Sequence, residues 1–190
     1  MPITQEFGWS RAEFQLALLF STGAGVVTAP LVGIFLDKVG IRKMALIGLF
    51  GLGAALSLAS QLNGELWMLY LVYALMAILG AGTIPVTWTR AVTNVFSKQR
   101  GLALGIMLSG TGICAIVIPQ ITVFITEEFG WRAAYLVLAT LPVGLAAPLV
   151  LLFFWPTESS NDDQIPENEV GTGLIFKEAI KGYRFWVLLV

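Results

Sequence analysis

Histidine is absent from this 190-residue chain, and its single cysteine, Cys114, lies inside an apolar run. The first absence removes the commonest general base and the commonest metal ligand. The second leaves no internal disulfide and no thiolate metal cluster. Charge is scarce too: Asp, Glu, Lys and Arg make up 12% of residues, against about 25% in an ordinary soluble domain. A net charge of −1 offers no basic face to a nucleic acid. No apolar run holds a carboxylate pair, and neither Ser109 nor Cys114 has a histidine to activate it. The sequence therefore reads as a non-enzyme with no cofactor and no metal. Met1 to Ser10 has neither the positive segment nor the apolar core of a signal peptide.

What the chain has in abundance is apolar length. Hydrophobic residues make up 57% of it, arranged in five runs that each suffice to cross about 30 Å of hydrocarbon as a helix. The runs predict spans at 12–36, 42–62, 66–92, 102–126 and 131–155, the last stopped by Pro156. Residues 1–11 read as a short polar lead-in whose Phe7 and Trp9 belong in an interfacial aromatic belt. Ser10-Arg-Ala-Glu13 has the spacing of a capping box at the start of the first span. Lys38, Arg42, Lys43, Lys98 and Arg100 fall on one side of the membrane, and only Arg11 and Arg132 on the other. The positive-inside rule makes the first side cytoplasmic and puts the N-terminus outside, which predicts a helix preceding residue 1.

The expected domains are a five-span bundle over 1–156, a cytoplasmic linker with a short amphipathic helix over 157–183, and the start of a further span over 184–190. The linker is acidic (Glu158, Asp162, Asp163, Glu167, Glu169). Residues 174–183 place Leu174, Ile175, Ala179 and Ile180 on or near one face, suited to the inner membrane surface.

The most informative stretch joins the first two spans: Gly33-Ile-Phe-Leu-Asp37-Lys38-Val-Gly40-Ile-Arg42-Lys43. It predicts a tight polar turn, with Gly33 allowing close helix approach and Gly40 permitting the bend. The pattern resembles the signature loop between the second and third helices of the major facilitator superfamily, with Lys38 where arginine is commoner. Three other stretches are similar to helix starts in that family: Phe7-Gly-Trp-Ser-Arg11-Ala-Glu-Phe14, Arg100-Gly-Leu-Ala-Leu-Gly105 and Phe129-Gly-Trp-Arg132-Ala-Ala-Tyr135. The first of these resembles the branch of monocarboxylate porters and oxalate:formate antiporters, and Phe176-Lys-Glu-Ala and Arg184-Phe-Trp resemble the family's central linker and the start of its seventh helix.

The resemblance implies an all-α membrane protein, a partial six-helix half of a major-facilitator bundle whose five spans are helices two to six. It implies a conformational-switch loop made by Gly33, Asp37, Lys38, Gly40, Arg42 and Lys43. The expected partners are the lipid bilayer, a small solute with or without a coupling ion, and the remaining helices of a longer transporter in the cell membrane. The proline after Gly110 and Gly112 comes only at Pro119, too late for the family's antiporter signature.

Arg90, within the third span, has two readings. A charge there is costly and usually functional. It is either an anion site for a carboxylate solute, or a structural group that pairs with Asp37 or snorkels to the interface. Gln120 is the uncharged counterpart: a solute contact or a helix-to-helix hydrogen bond. Rows of small residues, Gly25/Ala29/Gly33, Gly51/Ala55/Ala59 and Gly101/Gly105/Ser109, predict close helix contacts. Pro85, Pro119, Pro142 and Pro148 predict kinks. The expected function is a fragment of a secondary transporter moving a monocarboxylate-like organic anion by alternating access; the alternative is a truncated membrane module that does not transport.

Overall fold

The computed structural model describes residues 2–95 and 99–153 of the chain. Among these there are no strands, and five helical spans are long and apolar enough to cross a membrane. The expected linker, amphipathic helix and final span start lie outside the described residues, as does Lys98.

A short helix, α1 (Pro2–Phe7), precedes the first span, α2 (Arg11–Val39). The Ser10 hydroxyl accepts from the Glu13 amide and the Glu13 carboxylate accepts from the Ser10 amide, completing the capping box. The second span is α3 (Ile41–Ala59). The third is broken: α4 (Leu66–Leu79) runs into a 3-10 turn over Gly80–Thr83, and α5 (Pro85–Val95) restarts the helix. Pro85 supplies the break, because it has no amide proton to return to Ala81. The fourth span is α6 (Arg100–Phe129), which continues across Pro119 without ending. The fifth comprises α7 (Trp131–Thr140), a π turn over Leu141–Ala146 containing Pro142, and α8 (Ala147–Phe153).

Helix α3 is the hub. It packs against α4, α7 and both irregular turns, and buries Ala45, Gly48, Leu49, Gly53, Ala55 and Ala59. Its small residues let backbones touch: a β-carbon on Gly51 would meet the Leu79 carbonyl, and one on Gly82 would meet the Met44 carbonyl and the Gly48 backbone. This is the van der Waals association expected in lipid, where no hydrophobic force draws helices together.

Two of the three small-residue rows depart from expectation. Gly25, Gly33, Gly101 and Gly105 have nothing within 4 Å of where a β-carbon would stand. The physical reason is which face packs. Helix α2 meets α4 and buries Ala17, Val32 and Leu36, a different stripe, while α6 buries no residue at all. Residues 1–11 also depart from a solvated lead-in. Ile3 and Trp9 are buried, at 7% and 8% exposure, in a cluster with Leu62, Leu69 and Trp131.

Candidate functional site

The predicted polar turn is smaller than a loop. Helix α2 continues through Asp37, Lys38 and Val39, and α3 begins at Ile41, leaving Gly40 as the only residue between them. Gly40 has φ 86° and ψ 153°, a backbone that side chains avoid. Its amide donates to the Leu36 carbonyl and its own carbonyl accepts from Met44, so neither helix end is left unpaired at the joint. Asp37 therefore projects from the last turn of one helix, and Arg42 and Lys43 from the first turn of the next.

Asp37 and Arg90 meet across the bundle at 2.5 Å between Oδ1 and Nη1. Their side chains are 65% and 47% exposed, so the pair is a surface contact between α2 and α5. Lys38 and Lys43 are exposed. Arg42 turns the other way, donating from Nη2 to the Leu151 carbonyl of α8 at 2.8 Å, and its Nε is buried without a hydrogen bond among the described residues. The joint thus ties α2 to α5 through charge and α3 to α8 through a backbone carbonyl. Gly33 sits on α2 one helical turn before Asp37 with open space beside it.

Gln120 lies on the exposed face of α6, with no hydrogen bond recorded among the described residues. It stands twenty residues along α6 from Arg100, about 30 Å at helical rise. Arg90 lies midway along α5, in the part of the third span that leads toward Arg100, so the two residues occupy different levels and do not form one pocket. Trp88 packs with Leu49, Ala147 and Val150, and its Nε1 donates to the Thr83 carbonyl at 3.1 Å.

The opposite end of the bundle holds a second joint. Gly130, with φ 83° and ψ 164°, is the only residue between α6 and α7. Its amide returns to the Thr126 carbonyl as that of Gly40 does to Leu36. Arg132 follows Gly130 as Arg42 follows Gly40, and it too reaches a backbone carbonyl, that of Leu62, at 3.3 Å. Arg132 also pairs with Glu6 at 2.8 Å and lies 4.2 Å over the Trp131 ring. The Trp131 Nε1 donates to Glu6, the Trp9 Nε1 donates to the Gly64 carbonyl, and Phe7 packs between the two indoles. These donors hold the Glu6 carboxyl below its usual range, the Trp131 N–H first and the Arg132 guanidinium second. Sequence reasoning missed Glu6 and Arg132. The signal was Glu-Phe-Gly-Trp, which stands at both 6–9 and 128–131.

Beside this end lies an open, mainly apolar cavity of about 230 Å³, lined by residues including Phe14, Thr122, Thr126, Trp131 and Tyr135. Neither Arg90 nor Gln120 lines it, and no cation does.

The family model for the Major Facilitator Superfamily matches residues 1–190 of the chain. The chain belongs to the major facilitator superfamily. Among its relatives, human monocarboxylate transporter 14 is 28% identical over 142 residues, covering 74% of this chain and 28% of the relative. Chicken (Gallus gallus) monocarboxylate transporter 9 is 26% identical, covering 85% of this chain and 31% of the relative. Riboflavin transporter RibJ of Trypanosoma brucei brucei is 27% identical, covering 84% and 30%. The chain thus spans about a third or less of the length of these relatives. It is an integral membrane protein of this superfamily, and its five spans are a partial bundle of the family's fold.

Proposed function

We propose that the chain is part of a secondary transporter that moves a small organic anion across the cell membrane by alternating access. The observation that carries the reading is the joint at Gly40, where the superfamily's loop pattern is tied by Asp37 to Arg90 of the broken third span. An ion pair this exposed is worth about 0–1 kcal/mol, so it holds α5 against α2 without locking it. Gly33, Asp37, Lys38, Gly40, Arg42 and Lys43 form the switch segment, and Arg90 is first of all Asp37's partner. A carboxylate solute reaches the Arg90 fork only when that pair opens. Gln120, about 30 Å along α6 from Arg100, meets a solute at a separate step. The preference for a monocarboxylate-like anion rests on the names of two relatives; the riboflavin transporter marks how widely solutes vary at this level of identity.

A second reading, a membrane module that does not itself transport, is favoured by one observation: α6, a full 30-residue span, buries none of its residues. A chimera separates the two. Residues 2–153 replace the matching segment of a working monocarboxylate transporter, and uptake of labelled lactate and pyruvate is followed in vesicles. The transporter reading predicts retained uptake that Asp37→Asn slows without a matching loss of equilibrium affinity. A correctly inserted chimera that moves neither solute supports the module.

A further inference from the structure

The break in the third span leaves polar groups in a place where they are hard to satisfy. Thr87, in the first turn of α5, is fully buried at 0% exposure, and its Oγ1 has no hydrogen-bond partner among the described residues. A threonine in a helix normally donates back to the carbonyl four residues earlier, as Thr22, Thr89, Thr93, Thr122 and Thr126 do here. For Thr87 that acceptor would be the Thr83 carbonyl, which instead takes the Trp88 indole N–H. The Thr87 amide turns to Ile84, not to Thr83. Pro85 has no proton for the Ala81 carbonyl, and Gly80, Ala81 and Gly82 are all buried. A hydroxyl without a partner among the described residues thus sits in the first turn of the helix that restarts after the break, in a part of the span packed against α3.

We infer that this junction binds one water molecule, which accepts from the Thr87 hydroxyl and donates to a carbonyl released at the break. The ligand is neutral for reasons of charge. The N-terminal end of α5 carries positive partial charge, and Arg90 stands one turn further along the same helix, so a cation is repelled. The buried Thr87 hydroxyl and carbonyls offer no charged partner to an anion. Water supplies both the acceptor and the donor that the site needs, and irregular backbone at membrane depth is tolerated when so satisfied. The water joins the two pieces of the span where a direct helical bond is missing.

The test turns on a sign. In the purified chain, Thr87→Val keeps the shape and removes the hydroxyl. A hydroxyl that holds water is missed, so Thr87→Val lowers the Tm in detergent while Thr87→Ser retains it. A hydroxyl buried without any partner is better removed, so a Tm that is unchanged or raised in Thr87→Val overturns the inference. If Thr87→Val does not fold, the wild-type chain still decides. In a water-edited solid-state NMR spectrum of threonine-labelled protein in bilayers, assigned by loss of the signal in Thr87→Ser, Thr87 receives magnetisation at short mixing time. Build-up only on the slow time scale of a dry core contradicts a bound water.

Discussion

Gly40 joins α2 to α3 and Gly130 joins α6 to α7 with nearly the same backbone, φ 86° and ψ 153° against φ 83° and ψ 164°. Each is followed two residues later by an arginine that donates to a distant backbone carbonyl, Leu151 in one case and Leu62 in the other. The two joints stand at opposite ends of the bundle, as inverted three-helix repeats require. They differ in what surrounds them. At the Gly40 joint the cross-bundle tie is an exposed ion pair, Asp37 with Arg90. At the Gly130 joint it is a packed aromatic cluster of Phe7, Trp9, Trp131 and Tyr135, closed by Glu6 and Arg132. Exposed charge is weak and reversible, whereas buried aromatic area is strong and shape-specific. The same joint is thus built once to open and once to hold.

Breaking the holding end should cost most. Trp131 is 5% exposed, and Trp131→Ala is expected to destabilise the bundle by about 3–5 kcal/mol, read as a fall in Tm in detergent. Arg90→Ala at the other end should cost about 0–1 kcal/mol in the same assay. Equal losses would dissolve the distinction between the ends.

The hub offers the next largest effect. Gly82→Ala drives a β-carbon into the Met44 carbonyl and the Gly48 backbone, and overpacking of this kind costs about 1–3 kcal/mol. Gly33→Ala and Gly105→Ala have open space beside them and replace a helix-interior glycine, so they should not lower the Tm. A marked loss in either would mean that the small-residue rows of α2 and α6 pack within this chain after all.

A smaller effect is pH-dependent. Because the folded state lowers the Glu6 pKa, through Trp131 first and Arg132 second, the ionised carboxylate favours folding. That contribution is complete above the usual carboxylate range and is lost as pH falls through the lowered value. Glu6→Gln should flatten the acid limb of a Tm-against-pH curve; an unchanged limb would remove Glu6 from the holding end.

The number, order and approximate limits of the spans were legible in the sequence because each is an apolar run ended by charge or glycine. The capping box at Ser10 and Glu13 was legible for the same local reason: two groups three residues apart. The Asp37 and Arg90 pair was one of two readings for Arg90, since the alternation of spans puts both residues at the same end of the first and third spans without saying that they touch. Which small-residue row packs was not legible, because the spacing is alike on α2, α3 and α6 and only the choice of neighbours separates them. The Trp131 end was missed almost entirely. Its contacts join residues more than a hundred positions apart, such as Glu6 with Arg132, and only the repeated Glu-Phe-Gly-Trp hinted at them. Of the kinks expected at prolines, Pro85 follows a break, Pro142 lies in a π turn and Pro148 stands in the first turn of α8, while α6 accommodates Pro119 without ending.

The most direct test of one end built to open and the other to hold measures both at once. Spin labels at positions 38 and 94 report on the Asp37 end, and labels at 61 and 128 on the Trp131 end; all four are exposed residues. Double electron–electron resonance in bilayers is recorded for the chain with Asp37 and with Asp37→Asn. The account predicts that the 38–94 distance distribution broadens or shifts in Asp37→Asn while the 61–128 distribution stays narrow and fixed. A 38–94 distribution indifferent to Asp37→Asn, or a 61–128 distribution that broadens as much, would contradict it.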